Sequence, residues 1–412
     1  NGLENYPSKT KCVAANQSTW LSNGNRNRRS RGSVFFDYDN DGDQDLYVSN
    51  YFLEPDEFYE NDGNGNFSDM SSLLGLDRNP GSGSNHGTGV DAGDINNDGF
   101  MDLITPQFAH PGWTGLYGHR GTNVYLNTGA PSFLFDDRYG QLGIDWEETH
   151  AGAALADVNN DTKLDFVIKT FYGCRFADLY LQDQSGNFEN VSYRYGLKDN
   201  IGGNDALWVD LDSDGLIDLV TGDNGSLAMF KNKGSYSGSV LGLKVMRDQR
   251  NLFALGAKVE VHAGSSVIYR EIMAGRGQKM QDPYAMNIGL GNETNIDSVV
   301  VKFSDKRISF TNLEINNFYL LEEATGLATK LHELESGGPG VGIVQTVSTA
   351  PKVYPNPFKD WIHVEHEESR GRMFMLDSKG SLVFSSDELS DLETQDLKAG
   401  IYFLRIYSEN RS

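Results

Sequence analysis

Four copies of one acidic nine-residue pattern, each set between two short β-rich runs, limit what this chain can fold into. The first reads Val34-Phe35-Phe36, then DYDNDGDQD over Asp37–Asp45, then Leu46-Tyr47-Val48. The second is DINNDGFMD (Asp94–Asp102), followed by Leu103-Ile104-Thr105. The third, DVNNDTKLD (Asp157–Asp165), lies between Ala154-Leu155-Ala156 and Phe166-Val167-Ile168. The fourth, DLDSDGLID (Asp210–Asp218), lies between Leu207-Trp208-Val209 and Leu219-Val220-Thr221. First aspartates are 57, 63 and 53 residues apart, a period of one sheet-sized unit. Units continue to a turn and an aromatic (Asn61 to Phe67, Gln184 to Phe188). They close on Gly75-Leu76, Gly143-Ile144 and Gly196-Leu197. Short strands between Gly/Asn/Asp turns make one small antiparallel sheet per unit. A single such sheet cannot bury both faces, so the units must pack on one another. Radial packing gives a β-propeller and linear packing a solenoid; the expectation here is the propeller.

The pattern D-x-[DN]-x-D-[GT]-x-x-D puts oxygen-bearing side chains at positions 1, 3, 5 and 9 of a tight turn. A hard cation such as Ca2+ takes six to eight oxygens at about 2.3–2.6 Å, and such a turn can wrap them round one point. Position 6 is Gly42, Gly99 and Gly215 in three copies, which suits a positive φ. Position 7 varies freely (Asp43, Phe100, Lys163, Leu216), as expected of a residue that offers its backbone carbonyl. Asp, Asn and Gly also dominate plain turns. Four copies in one register, with 5, 3, 3 and 4 aspartates, favour about four Ca2+ sites over plain turns. Thr162 stands where the glycine belongs, beside Lys163. The third loop is therefore expected to be the weakest, or to be held in a different turn.

The balance of 35 Lys+Arg against 58 Asp+Glu, formally −23, argues against a nucleic-acid partner and against anionic lipid. No run of apolar residues is long enough to span a membrane as a helix. Length, 412 residues, allows two to four domains. Cys12 and Cys174 are too few for a disulfide scaffold and lack metal-ligand spacing; whether they pair is open. Residues 237–325 alternate apolar and polar (Lys258-Val259-Glu260-Val261-His262), as a half-buried antiparallel β module would. Residues 326–349 turn Gly-rich and read as a flexible linker, and residues 350–412 as a small C-terminal β-sandwich. The all-β chain is thus divided into propeller blades at 1–236, the module, the linker and the sandwich.

The four repeats resemble the FG-GAP/VCBS repeats of integrin-like β-propellers. The resemblance implies side-chain ligands at positions 1, 3, 5 and 9 and a carbonyl at 7. It assigns Asp37, Asp39, Asp41, Asp43 (carbonyl) and Asp45 to the first site, and Asp94, Asn96, Asp98, Phe100 (carbonyl) and Asp102 to the second. The third takes Asp157, Asn159, Asp161, Lys163 (carbonyl) and Asp165; the fourth Asp210, Asp212, Asp214, Leu216 (carbonyl) and Asp218. Residues 239–323 resemble an ASPIC/UnbV module, as found in cartilage acidic protein-like chains. The matching words are Leu241-Gly242-Leu243-Lys244-Val245, Asn251 with Gly256-Ala257-Lys258-Val259, Arg270-Glu271, Gln281 and Ile288-Gly289-Leu290-Gly291. Val299 to Phe303 stands where that family has a strand ending in Trp-Pro, and Phe303-Ser304-Asp305 departs from it. Val353-Tyr354-Pro355-Asn356-Pro357-Phe358 and Gly400 to Ile406 resemble the C-terminal sorting domain of type IX secretion substrates in Bacteroidota. That resemblance implies export by the type IX machinery to the cell surface or medium, where millimolar calcium suits loops of modest affinity. Gly2-Leu3 looks like the closing step of a preceding repeat, which makes four blades a lower bound.

The sequence shows no G-x-S-x-G, H-E-x-x-H or P-loop pattern. His86 and His150 precede Asp94 and Asp157 by 8 and 7 residues, as a ligand-facing pair or as hydrogen-bonded strand starts. His363 and His366 are not spaced as a helical metal pair. The aromatic insert Phe108 to Tyr117, with Trp113, reads as an exposed loop able to stack on sugar or peptide. Two functions remain in view. One is a non-catalytic, calcium-binding cell-surface or secreted protein that binds an extracellular protein or polysaccharide. The other is a calcium-dependent polysaccharide lyase or glycoside hydrolase built on a propeller.

Overall fold

A computed structural model describes residues 29–51, 54–76, 86–108, 121–172, 175–197, 202–204, 206–223, 226–234, 238–248, 251–334 and 343–346, with the strands beyond. Contacts divide the chain into two units, Asn1–Thr346 and Val347–Ser412. All regular structure among the described residues is β.

The first unit opens with β1 (Arg29–Phe36), β2 (Asp45–Tyr51), β3 (Glu57–Asn61) and β4 (Phe67–Asp69), a four-stranded antiparallel sheet in chain order. The same meander recurs as β5 (Asp91–Gly93), β6 (Asp102–Thr105), β7 (Asn123–Asn127) and β8 (Phe135–Asp137). It recurs again as β9 (His150–Ala156), β10 (Asp165–Thr170), β11 (Asp178–Gln182) and β12 (Phe188–Asn190). A fourth sheet starts with β13 (Ala206–Val209), β14 (Asp218–Asp223) and β15 (Ser226–Asn232). First strands β1, β5, β9 and β13 neighbour one another in that order, the arrangement of propeller blades. Each acidic pattern is the hairpin between the first and second strands of its blade. Buried faces of adjacent blades share cores, for example Ala154, Val167 and Leu179 against Trp208, Leu219 and Phe230. The closing Gly-Leu steps dock on the next blade. Gly75 has φ 80° and Gly143 φ 79°, and Phe135 N donates to Leu74 O at 3.0 Å and Phe188 N to Leu142 O at 2.8 Å.

The chain then builds β16 (Ser239–Met246), β17 (Lys258–Ala263), β18 (Ser266–Glu271), β19 (Ala285–Gly291), β20 (Ser298–Lys302), β21 (Arg307–Phe310), β22 (Asn317–Glu322) and β23 (Leu327–Glu333). These form two sheets, ordered β19-β16-β22-β23 and β18-β17-β20-β21, round one core that includes Leu241, Val259, Val261, Ile288, Val301 and Leu321. The alternation read in β17 is the observed one, with Val259 and Val261 inward.

The expected linker needs correction. Leu327–Glu333 is β23 of this module, and β24 (Ile343–Thr346) pairs with β15 as the outer strand of the fourth blade. The module is therefore inserted between the third and fourth strands of that blade. The physical reason is an open edge: β15 has backbone groups to satisfy, and the β-branched Ile343-Val344 run supplies the partner. In the second unit, β25 (Lys352–Tyr354), β26 (Trp361–Glu365) and β29 (Leu392–Glu393) form one three-stranded antiparallel sheet. Strands β27 (Arg370–Asp377), β28 (Leu382–Glu388) and β30 (Tyr402–Ser408) form another.

Candidate metal centre

The four acidic hairpins close by one hydrogen-bond scheme. Position 1 receives the N–H of position 6 on Oδ2: Gly42 on Asp37 at 3.0 Å, Gly99 on Asp94 at 2.9 Å, Thr162 on Asp157 at 2.9 Å and Gly215 on Asp210 at 3.0 Å. Position 5 receives the N–H of position 7 on Oδ1, at 2.9–3.0 Å in every copy. Position 9 receives the N–H of position 2 on Oδ2: Tyr38 on Asp45, Ile95 on Asp102, Val158 on Asp165 and Leu211 on Asp218. Its Oδ1 takes the N–H of a third-strand residue, namely Asn61, Asn127, Gln182 or Asn232. Position 9 thus spends both oxygens on closing the turn, and position 1 does the same in the second, third and fourth loops, where its Oδ1 takes the N–H of position 5. In the first loop the Oδ1 of Asp37 is left for another partner.

The clustered loop oxygens fit a hard cation. Oxygens of Asp37, Asp39 and Asp45 lie within 4.8 Å of one another, as do those of Asp210, Asp212 and Asp214. Asn96 and Asn159 supply amide oxygens at position 3 of the middle loops. Asp37 is 2% exposed, yet its Oδ1 has no hydrogen-bond partner, and the same holds for the buried Oδ1 of Asp43. A buried carboxylate oxygen without a donor is costly unless a cation meets it. Burial also pushes the carboxyls up. Asp39, Asp43, Asp94 and Asp218 rise to about 6, Asp157 to about 7 and Asp45 to about 8, with Asp102 and Asp165 well above the usual range. Desolvation is the largest cause in each, and neighbouring loop aspartates add to it.

The third loop takes the same turn as the others, so the expected alternative of a different turn is set aside. Thr162 has φ 83°, beside 98°, 90° and 84° for Gly42, Gly99 and Gly215. A β-branched residue is strained there, by about 1–3 kcal/mol. Lys163 points away, its Nζ donating to Asp183 O at 2.8 Å. Thr162→Gly should raise calcium affinity at this loop in calorimetric titration; an unchanged affinity would contradict the strain argument.

Two repeated contacts escaped the sequence reading. Position 4 is also left-handed (Asn40, Asn97, Asn160 and Ser213, φ 56–65°). The three asparagines reach the next loop: Asn40 Nδ2 to Gly99 O, Asn97 Nδ2 to Thr162 O and Asn160 Nδ2 to Gly215 O, at 3.1–3.3 Å. The third-strand amides reach back, Asn127 to Tyr38 O, Gln182 to Ile95 O and Asn232 to Val158 O, at 2.8–3.0 Å. The signal was present as Asn at position 4 in three copies, a residue that tolerates this φ. The loops form one hydrogen-bonded chain round the array.

The inserted module sits on these loops. Lys258 Nζ lies 3.0 Å from Asp37 Oδ2 and 3.0 Å from Asp37 O, and Glu271 accepts from Asp37 N at 3.3 Å and Gln44 Nε2 at 2.8 Å. Arg270 is attracted to Asp157 and Asp94, and Asn287 Nδ2 donates to Asp210 Oδ2 at 2.8 Å. Gly289 is needed for close approach: a Cβ there would meet Asp157 Oδ2 and the Asn160 backbone. The segment after β18 then enters the middle of the array. Ser33 N donates to Gly277 O at 3.1 Å and Gly277 N to Val90 O at 3.0 Å. Arg276, almost fully buried, donates to Ala153 O and Ala206 O at 2.9 and 2.8 Å and pairs with Asp91 and Asp282. One turn therefore touches the inner strand, or the residue leading into it, in all four blades.

The ends of the blades away from the loops are different. Phe108, Phe171 and Tyr172 form a ring cluster with centroids 5.6–5.7 Å apart, Phe171 and Tyr172 being 42% and 45% exposed. Trp146 and Phe176 are also exposed. His150 is buried with Nδ1 2.8 Å from Thr122 Oγ1 and Nε2 3.3 Å from Asp178 Oδ2, a strand-start residue held by hydrogen bonds. His86 packs edge-on to Tyr51. Trp113, Tyr117, Cys12, Cys174 and the side chains of His363 and His366 lie outside the described residues.

With this geometry in hand, comparison with known proteins is direct. Residues 19–105 match the FG-GAP-like repeat model and residues 247–328 the ASPIC and UnbV model. Residues 352–412 match the secretion system C-terminal sorting domain. Three family models thus match separate parts of one chain. The FG-GAP-like segment covers the first blade and the first two strands of the second; the ASPIC and UnbV segment is the module seated on the loops. The sorting segment is that of a type IX secretion substrate, and marks a secreted or outer-membrane-attached cell-surface protein. Among the described residues no helix is long and apolar enough to cross a membrane. Cartilage acidic protein 1 of Mus musculus is 26% identical over 273 residues, and that of Homo sapiens 24% identical over 284. These alignments cover 62% and 63% of this chain and 38% of each relative, so the chain spans well under half the length of the curated relatives it matches.

Proposed function

We propose that this is a calcium-loaded extracellular propeller that binds a polysaccharide or protein ligand and performs no chemistry on it. The observation that carries the calcium reading is the buried, unpartnered Oδ1 of Asp37, set in a loop scheme repeated four times. Positions 1, 3, 5 and 9, with the carbonyls of Asp43, Phe100, Lys163 and Leu216, hold the ions. Four Ca2+ would offset about eight units of the formal net charge of −23. The assignment of blades, module and sorting segment as separate working parts belongs to the same reading.

The ligand is assigned to the end of the blades opposite the loops. The module covers the loop side, whereas Phe171 and Tyr172 stand on the other side, exposed and packed on the buried ring of Phe108. Clustered exposed rings are the usual anchors of binding surfaces. On glycan and protein arrays the full chain should bind in calcium. Phe171→Ala/Tyr172→Ala should lose about tenfold or more in affinity while melting at the same temperature. Binding unaffected by that pair, or product release from a bound polysaccharide, would overturn this reading.

A further inference from the structure

The four loops are not equivalent in the residue that faces them from the third strand. Asn61, Asn127, Gln182 and Asn232 mark one structural position, each donating its N–H to the ninth-position carboxylate. The residue before it is Glu60 in the first blade, Leu126 and Leu181 in the second and third, and Lys231 in the fourth. In the fourth loop the Lys231 ammonium pairs with Asp212 Oδ2 and lies 3.4 Å from Asp214 Oδ2. Asp214 Oδ1 is already engaged by Leu216 N, so the ammonium lies against the oxygen the turn leaves for a metal. In the first loop the equivalent Glu60 accepts a hydrogen bond from Tyr38 Oη at 2.7 Å and adds negative charge near Asp39.

Resting on the calcium reading above, we infer that Lys231 is a built-in cation for the fourth loop, which binds more weakly than its aspartates alone would because Ca2+ must displace the ammonium. Glu60, at the equivalent place in the first loop, has the opposite effect, while Lys258 meets Asp37 Oδ2 there from the module side. Positions 3 and 5 are the metal's oxygens, and an ammonium paired with both cannot share them with a divalent ion at coordination distance. Without metal, the same ammonium relieves the repulsion among Asp210, Asp212 and Asp214; in the first loop the Lys258 ammonium meets position 1 instead. The site at the fourth blade is therefore a calcium sensor of lower affinity than its loop alone would give.

The test compares the full chain with Lys231→Met and Glu60→Lys by native mass spectrometry over graded free calcium, and by thermal melting in EDTA and in millimolar calcium. Lys231→Met should shift one calcium step to at least tenfold lower free calcium, and Glu60→Lys should shift one step to higher. Lys231→Met should melt below the parent in EDTA and above it in calcium; a merely structural lysine would move both in the same direction. Calcium uptake with no step shifted in Lys231→Met overturns this inference alone. Chains that take up no calcium in any form overturn the calcium reading together with it.

Discussion

Arg276→Met should destabilise the protein by about 3–5 kcal/mol, the loss expected on breaking a buried ion pair by removing one partner. The guanidinium is 3% exposed and answers four groups at once: the carbonyls of Ala153 and Ala206 and the carboxylates of Asp91 and Asp282. Methionine fills the volume but leaves two carbonyls without donors and Asp91 charged in a dry surrounding. Lysine would fare little better, because one ammonium cannot reproduce the planar fork that spans two blades. Burial already pushes the Asp91 carboxyl up against the pull of Arg276. Asp91→Asn added to Arg276→Met should therefore recover part of the loss. Chemical denaturation of the three variants measures this. Full stability in Arg276→Met would mean that the turn at Gly277 does not hold the blades together.

Removing calcium should have an effect of similar or larger size, spread over several loops. An ion present at a hundredfold excess over its Kd adds about 2.7 kcal/mol per site, so four filled sites rival the whole stability of an ordinary domain. The pH dependence has a definite sign. Carboxyls such as Asp157 at about 7 and Asp45 at about 8 bind protons more tightly folded than unfolded. Without metal, stability from these groups is present at low pH and is lost as pH rises from the unfolded value near 4 through 7–8. Calcium needs the deprotonated form, so its contribution grows over the same interval. Melting scans should show a gap between calcium and EDTA samples that is small at pH 5 and widest at pH 8. A gap independent of pH would contradict the assignment of these aspartates as ligands.

The register of the acidic hairpins was legible because each is local: nine residues close on themselves through Asp37, Asp94, Asp157 and Asp210. The half-buried alternation of β17 was legible for the same reason. What escaped the reading joins residues far apart in sequence. Glu271 meets Asp37 across 234 positions, and Asn40 meets Gly99 across 59. No pattern within a window reports such pairs. The ASPIC and UnbV-like words Gly256 to Val259, Arg270-Glu271 and Gly289 looked like module-internal features, yet they include the residues that meet the loops. The outer strand of the fourth blade was missed because Gly-rich sequence around Ile343 masked a four-residue run that only an open neighbouring edge makes into a strand.

The most direct measurement is native mass spectrometry of the full chain exchanged from millimolar calcium into volatile buffer, with a matched EDTA-treated sample. The account predicts three or four bound Ca2+ in the first sample and, after chelation, a metal-free chain with a lowered melting temperature. A chain that carries no metal before chelation, and melts at the same temperature after it, would contradict it.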